Sequence, residues 1–252
     1  MGATKIEFHL RMTILVSIVV LGFWAPWIEA FGIGQRLPLF AWLALTISRL
    51  SRISFSVATP MVIGLGALIA AEGAVLRIWG TAYLGYSTVH QRPMKAGVLM
   101  ANGPYRFVRN PLYLGSWCIF IAMVLLMPST GALFTMILVT VFQLRLIFGE
   151  EAFLASRLGE PYIEYLHTVP RLFPRLRNVL SSRSAQSTGC KPQWLRAVIA
   201  ELNPIGVFVT MAFLSWNYDT HLMVRAIIVS FGVSLVARAL LPRPEQQAAP
   251  VE

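Results

Sequence analysis

The sequence predicts an all-α fold, a transmembrane bundle of six or seven helical spans, and three observations support this class. Hydrophobic residues make up 56% of the 252 residues, charged residues only 13%, and the mean hydropathy is +0.66. A soluble domain is about one quarter charged, so this chain carries roughly half of the usual solvating charge. Long charge-free intervals separate the charged residues. Most of these intervals match the roughly 20 helical residues that cross a bilayer core.

The net charge of +10 and the isoelectric point of about 10.3 favour lipid headgroups as partners. In a soluble protein such a charge would indicate nucleic-acid binding. Here the Lys and Arg residues lie mainly between apolar intervals, as they do in the cytoplasmic loops of membrane proteins. We therefore predict contact with membrane lipids, no nucleic-acid partner and no protein partner.

The first two long intervals predict single spans. Seventeen uncharged residues follow Arg11, and nineteen follow Arg52. We interpret the first interval as a retained helix and not as a signal peptide. Trp24 and Trp27 are typical of an interfacial belt, and no small-residue cleavage site follows them.

The apolar segment 37–48 decides the number of spans. As a helix it reaches about 18 Å, less than a bilayer core of roughly 30 Å. If it crosses, the chain has seven spans. If it is re-entrant or interfacial, the chain has six. Arg36 and Arg49 flank the segment as end anchors would, which favours seven.

The longest charge-free interval predicts a tight helical hairpin. It contains thirty-five residues between Arg109 and Arg145, too many for one span. Its centre, residues 127–131 with sequence MPSTG, has the composition of a turn. Residues 202–218 and 222–241 predict two C-terminal spans.

These elements divide the chain into four regions. They are N-terminal transmembrane helices (1–75), a core made of a loop, the hairpin and a post-hairpin helix (76–178), a basic linker (179–196), and a C-terminal transmembrane pair with a tail (197–252).

Two polar groups flank the hairpin. Before it, Asn110 is a favourable N-cap residue, and Pro111 suits a first helical turn. After it, Glu150 and Glu151 are adjacent. Each group alone is typical of a capped helix start or of solvated acids near a helix end.

Together the two groups resemble a known family. The chain reads G-P-Y-R-x-x-R-N-P-x-Y-x-G, an apolar hairpin, then E-E-x-x-L-x-x-x-x-G-x-x-Y-x-x-Y-x-x-x-V-P-R-x-x-P. This order resembles the isoprenylcysteine carboxyl methyltransferase family, part of a wider group that includes membrane phospholipid N-methyltransferases. The resemblance covers roughly residues 75–175. Close family members often carry histidine where this chain has Asn110, so proton transfer at that position is excluded.

The resemblance implies methyl transfer from S-adenosylmethionine in a pocket closed by the hairpin and the following helix. Such a ligand needs a carboxylate for its amine, an aromatic wall, and a donor for its own carboxylate. The implied cofactor-binding residues are Arg109, Asn110, Pro111, Tyr113, Glu150, Glu151, Tyr162 and Tyr165. The implied catalytic residues are Arg145, Glu150 and Glu151. No metal is predicted, because the histidines are scattered.

The resulting hypothesis is an integral membrane S-adenosylmethionine-dependent methyltransferase with a lipophilic or membrane-dissolved acceptor. A phospholipid amine, an isoprenoid carboxylate and a small thiol are the candidate nucleophiles, and the thiol is less favoured. The first alternative is a membrane enzyme of the sterol-reductase type, which uses NADPH and has a related hairpin. The second is a non-catalytic transporter or structural membrane protein.

The cofactor implies an orientation. S-adenosylmethionine is cytosolic, so regions 77–110 and 149–196 are expected to face the cytoplasm, in agreement with their basic residues. The N-terminus is then outside with seven spans and inside with six. In both cases Arg49 and Arg52 lie on the outer side, against the usual charge bias.

Overall fold

The computed structural model describes residues 2–24, 37–84, 101–174, 192–217 and 219–240. Within these ranges the regular structure is helical, and the one β-type contact is an isolated bridge between Pro38 and Pro128. The predicted all-α class is therefore confirmed.

Ten α-helices lie in the described ranges. They are α1 (Lys5–His9), α2 (Arg11–Phe23), α3 (Leu39–Leu50), α4 (Phe55–Leu84), α5 (Pro111–Val124), α6 (Ser129–Leu158), α7 (Glu160–Thr168), α8 (Trp194–Ala200), α9 (Leu202–Val209) and α10 (Thr220–Leu240). A short 3-10 turn, Gly103–Arg106, precedes α5, and a π-helical turn, Thr210–Leu214, follows α9.

Three helices are long and apolar enough to cross a membrane: α4, α6 and α10. The pair Trp194–Ala200 and Leu202–Phe213 is bent by 64° and gives a fourth span if it is counted as one. Helices α2, α3 and α5 are apolar but shorter. In the described ranges, length and composition thus support three or four spans, fewer than the six or seven predicted.

The predicted hairpin is present. It consists of α5 and α6, joined by residues 125–128. The turn starts two residues earlier than the predicted 127–131, and Ser129 already belongs to α6. We call residues 125–128 the turn end of the hairpin, and the end where α5 begins the Pro111 end.

Helix α4 runs antiparallel to α5. Gly66 lies against the side chain of Leu125 at the turn end, and Gly73 lies against the backbone of Gly115. A Cβ on Gly73 would stand 2.8 Å from the Gly115 carbonyl oxygen, so the close approach of these helices requires glycine. The last residues of α4 therefore reach the Pro111 end.

Helix α3 does not cross to the Pro111 end. The Leu39 and Phe40 amides donate to the Met127 and Leu125 carbonyls, so α3 begins at the turn end. On α4, Phe55 lies about 16 Å beyond the level of Gly66, away from the Pro111 end.

Five Cα–Cα steps from Leu50 to Phe55 span at most about 19 Å. Leu50 therefore stays near the turn end or beyond it. The preference for seven spans, which requires this segment to start at the Pro111 end, is wrong. The placement agrees with a re-entrant or interfacial helix.

Helix α2 packs along α6 in the opposite direction. Gly22 lies against Gly131 near the turn end, whereas Gly2 lies against Gly149 near the Pro111 end. The Ala3 amide donates to the Arg145 carbonyl at 2.8 Å. The N-terminus thus lies at the Pro111 end, as the six-span alternative requires.

A buried polar network connects the C-terminal helices to the hairpin. The Arg77 guanidinium donates to the Glu201 carboxylate at 2.6 and 3.1 Å, to the Ser116 hydroxyl at 2.6 Å and to the Leu112 carbonyl at 3.3 Å. The Thr81 hydroxyl also donates to Glu201 at 2.7 Å. Glu201 stands at the break between α8 and α9, so one carboxylate joins this break to α4 and the first turns of α5.

The sequence placed Arg77 at the start of a polar loop, and this was wrong. Helix α4 continues to Leu84. The helix can carry Arg77 into the protein because Glu201 neutralises its charge inside the bundle.

Replacement of Glu201 tests this network. In Glu201→Gln, Arg77 keeps its charge without a carboxylate partner, and we expect a loss of about 3–5 kcal/mol of stability. Thermal unfolding of the detergent-purified protein should show a lower midpoint. The double variant Arg77→Met/Glu201→Leu should recover much of the loss. Exposed Glu72 on the same helix as Arg77 gives a matched control, Glu72→Gln, with little effect. A wild-type midpoint for Glu201→Gln would contradict this role.

Candidate functional site

The two motifs that flank the hairpin meet at the Pro111 end. The Arg109 amide donates to the Pro170 carbonyl at 2.9 Å, and the Asn110 amide donates to the Arg171 carbonyl at 3.2 Å. Pro111 is buried and occupies the first turn of α5, where its missing N–H leaves no helical bond unmade. The residues before α5 are therefore paired with the segment that follows α7.

Glu151 is the centre of this site, and its side chain is almost fully enclosed. The residue is 6% exposed. Its carboxylate accepts from Arg171 at 2.8 to 3.2 Å and from the Asn110 side-chain amide at 3.0 Å, and it lies 3.6 Å from Arg109 Nε. Two guanidinium groups thus neutralise one carboxylate, and the cluster holds α5, α6 and the segment after α7 together.

Asn110 uses its side chain differently from the sequence prediction. It stands at the N-cap position of α5 but makes no side-chain capping bond. Its Nδ2 donates to Glu151 and, at 3.3 Å, to the Arg171 carbonyl. The Asn110 side chain therefore binds the distant Glu151 carboxylate instead of capping α5.

Glu150 has a different environment from its neighbour. It is only partly buried, and in the described part of the chain its carboxylate accepts one hydrogen bond, from the Tyr113 hydroxyl at 3.0 Å. An ionised carboxylate has about four acceptor positions. Glu150 thus keeps most of its capacity to accept, whereas Glu151 has used its own.

Arg109 combines burial with an unmet donor. Its side chain is 11% exposed, and its Nε has no hydrogen-bond partner among the described residues. This Nε lies 3.6 Å from the Glu151 carboxylate, so Arg109 stabilises Glu151 through its charge and not through a hydrogen bond from this atom.

Tyr162 and Tyr165 are both buried on α7, with ring centroids 5.8 Å apart. The Tyr165 hydroxyl donates to the Tyr105 carbonyl at 2.7 Å. Burial raises the pKa of both phenols, so they remain neutral at physiological pH. Gly159, with φ of 65°, separates α7 from α6 and lets α7 turn back toward the motif.

Arg145 does not join the other predicted residues. It lies five residues before Glu150, which rotates its side chain by about 140° on an α-helix. Its guanidinium donates to both oxygens of Glu7, at 2.9 and 3.0 Å. The structure therefore directs Arg145 toward α1, and its predicted catalytic role stays a prediction.

The N-terminal segment is the part of this region that the sequence reasoning missed. Thr4 and Glu7 form a reciprocal capping box, a T-x-x-E pattern that could have been found in the sequence. Arg145 lowers the pKa of Glu7 to about 2, so the pair is intact at neutral pH. Its contribution to stability is lost as the pH falls from about 4.5 towards 2.

Arg171 was also absent from the predicted site residues, although the V-P-R sequence was part of the motif. In the structure it is the closest cation to Glu151 and also lies over the Phe148 ring, 4.7 Å from its centroid. The described ranges contain no group of three His, Cys, Asp or Glu residues that could hold a metal ion.

Comparison with known proteins finds one family model that matches the middle of the chain. Residues 61–160 match the family model described as phospholipid methyltransferase. The matched segment begins within α4, includes the whole hairpin and ends at the start of α7. No curated protein and no solved structure matches the chain.

The two adjacent acids should differ in their effect on stability. Glu151→Gln leaves two guanidinium groups without their carboxylate, and we expect a loss of at least about 2 kcal/mol. Glu150→Gln keeps an oxygen for Tyr113 and should unfold near the wild-type temperature. Exposed Glu160 supplies the control, Glu160→Gln. Thermal unfolding in detergent measures all three, and equal effects of the two acidic substitutions would contradict the assignment.

Proposed function

We propose, from the match of residues 61–160 to the phospholipid methyltransferase family model, an integral membrane enzyme that methylates a lipid at the site around Glu150. The methyl donor is S-adenosylmethionine. The observation that carries the proposal is that two adjacent carboxylates have different hydrogen-bond partners. Glu151 fixes the site, and Glu150 keeps free acceptor positions beside Tyr113.

Glu150 is proposed to bind the ammonium group of the donor. A carboxylate that accepts a single bond from a neutral phenol can accept two or three more from an ammonium group. Glu151 is a poor candidate for this role, because a ligand would have to displace Arg171.

Other residues near Glu150 are candidates to bind the carboxylate, the sulfonium and the adenine of the donor. The Arg109 guanidinium, which lies beside Glu151, offers a positive charge to the ligand carboxylate. The Tyr113 ring, next to Glu150, offers a π face to a sulfonium cation. Tyr162 and Tyr165 form an aromatic pair for the adenine. These residues therefore fit S-adenosylmethionine.

When bound, S-adenosylmethionine supplies an electrophilic methyl group, and the protein contributes mainly orientation. Tyr113 and Glu150 would fix the donor, while the apolar hairpin would exclude water. Asn110 cannot take a proton from the acceptor. A carboxylate acceptor needs no base, whereas an amine must lose its proton to another group before it attacks. Both lipid classes are compatible with this part of the site.

We propose a six-span topology with the site in the cytoplasmic leaflet. The spans are α2, α4, α5, α6, the bent pair of α8 and α9, and α10. The Arg238 side chain near the end of α10 donates to the Ala200 carbonyl, close to Glu201, so α10 ends on the same side as the site. Lys5 and Arg11 then lie inside, in agreement with the positive-inside rule.

Cysteine accessibility tests this topology. In a background without Cys118 and Cys190, Lys5→Cys should react only with cytoplasmic reagents, and Leu50→Cys only with reagents on the other side. Membrane-impermeant maleimide, applied to intact cells and to inverted vesicles, distinguishes the two sides. Labelling of both positions from the same side would contradict the six-span arrangement.

Donor binding tests the activity. Calorimetry on the protein in nanodiscs should show binding of S-adenosylhomocysteine, and Glu150→Gln should weaken it by at least about 30-fold, as for a lost charge partner. Glu160→Gln should bind as wild type does.

With a labelled methyl donor, label should appear in the membrane lipid extract. Preferential binding of NADPH would instead support the reductase alternative. A folded protein that binds neither ligand would contradict both enzyme hypotheses.

A further inference from the structure

A buried glutamine lies on α6, about two helical turns from Glu150 toward the turn end. Gln143 on α6 is 1% exposed, and neither its Nε2 nor its Oε1 has a hydrogen-bond partner among the described residues. It lies in a charge-free stretch of α6, where leaving these atoms unsatisfied is costly.

A second unpartnered group lies on the facing helix. The Trp117 indole N–H on α5 is also buried without a partner among the described residues. Trp117 follows Tyr113 by four residues, and Gln143 precedes Glu150 by seven, so each shares a helix face with one member of the Tyr113–Glu150 pair. Because the Tyr113–Glu150 hydrogen bond joins these two faces, helix periodicity directs both unpartnered groups toward the α5–α6 interface.

The chemistry of these two groups defines what they can bind. They present donors from the indole and the amide, together with one amide oxygen. No ionised side chain occurs on α5, or on α6 before Arg145. Such a site suits neutral groups that accept hydrogen bonds, above all carbonyl oxygens, and it is unsuited to a phosphate, which needs a cation.

We propose that Trp117 and Gln143 form a subsite for the ester carbonyls of a diacyl phospholipid that enters between α5 and α6. This inference rests on the proposed lipid methylation and selects between its acceptor classes. An isoprenoid carboxylate ends in the reacting group and has no carbonyl further along its chain.

The spacing of the residues agrees with this acceptor. Two helical turns, about 10 Å, separate Gln143 from Glu150 along α6. A phosphoethanolamine headgroup separates its amine from the glycerol esters by a comparable length. The esters would lie at Gln143 when the amine reaches the methyl group held near Tyr113.

An ester-free lipid provides the decisive test. The wild-type protein in nanodiscs is given either diacyl phosphatidylethanolamine or its diether analogue, which lacks both carbonyl oxygens. We expect at least a 10-fold lower kcat/KM with the diether lipid, mainly through KM. Gln143→Leu should lose activity on the diacyl lipid, so that it no longer prefers this lipid over the diether. Trp117→Phe should show a smaller preference for the diacyl lipid than the wild type does.

Stability separates a binding role from a structural one. Gln143→Leu removes unsatisfied polar atoms, so its unfolding temperature should equal or exceed that of the wild type. Its affinity for S-adenosylhomocysteine should be unchanged. Thr135→Val, at a buried position of α6 closer to the turn end, should keep the wild-type lipid preference.

The outcomes distinguish this inference from the proposed function. If the wild-type protein binds S-adenosylhomocysteine but methylates both lipids equally well, only the carbonyl subsite is refuted. Methylation of an isoprenoid carboxylate alone would also refute it. Loss of S-adenosylhomocysteine binding in folded Gln143→Leu would assign Gln143 to the donor site instead. If the wild-type protein does not bind S-adenosylhomocysteine, the proposed function itself is refuted.

Discussion

The arrangement of the site depends on one buried carboxylate. Glu151, on α6, contacts Asn110 before α5 and Arg171 after α7. Its charge is buried and is stable there because Arg109 and Arg171 are held against it. The backbone pairing of Asn110 with Arg171 then follows, and so does the position of Tyr113, one helical turn along α5.

Neighbouring positions in a helix differ in direction by about 100°, and the site uses this difference. Glu151 points into the cation cluster, and Glu150 points toward Tyr113. Two chemically identical side chains thus have different surroundings: Glu151 is bound by cations and an amide, whereas Glu150 accepts a bond from a neutral phenol. The same geometry turns Arg145 away from the site and toward Glu7.

Much of this architecture follows from the sequence, because charge and hydropathy act locally. The hairpin and the long apolar helices were predictable from the positions of charges and of Pro128, whereas the meeting of the two motifs was implied by the family resemblance. The course of α3 was not, since a twelve-residue apolar helix has the same composition whether it crosses or turns back. The partners of Arg77 and Arg145 were also inaccessible, because Glu201 and Glu7 are more than 120 residues away in the chain.

The Arg77–Glu201 pair determines which fragments of this protein keep their buried charges paired. The family-matched segment 61–160 contains the arginine, but its carboxylate lies forty-one residues beyond that segment. A fragment that ended after α7 would leave the Arg77 guanidinium without the carboxylate that neutralises it. The C-terminal helices therefore supply the carboxylate that neutralises Arg77. We do not expect the segment with the hairpin to fold without them.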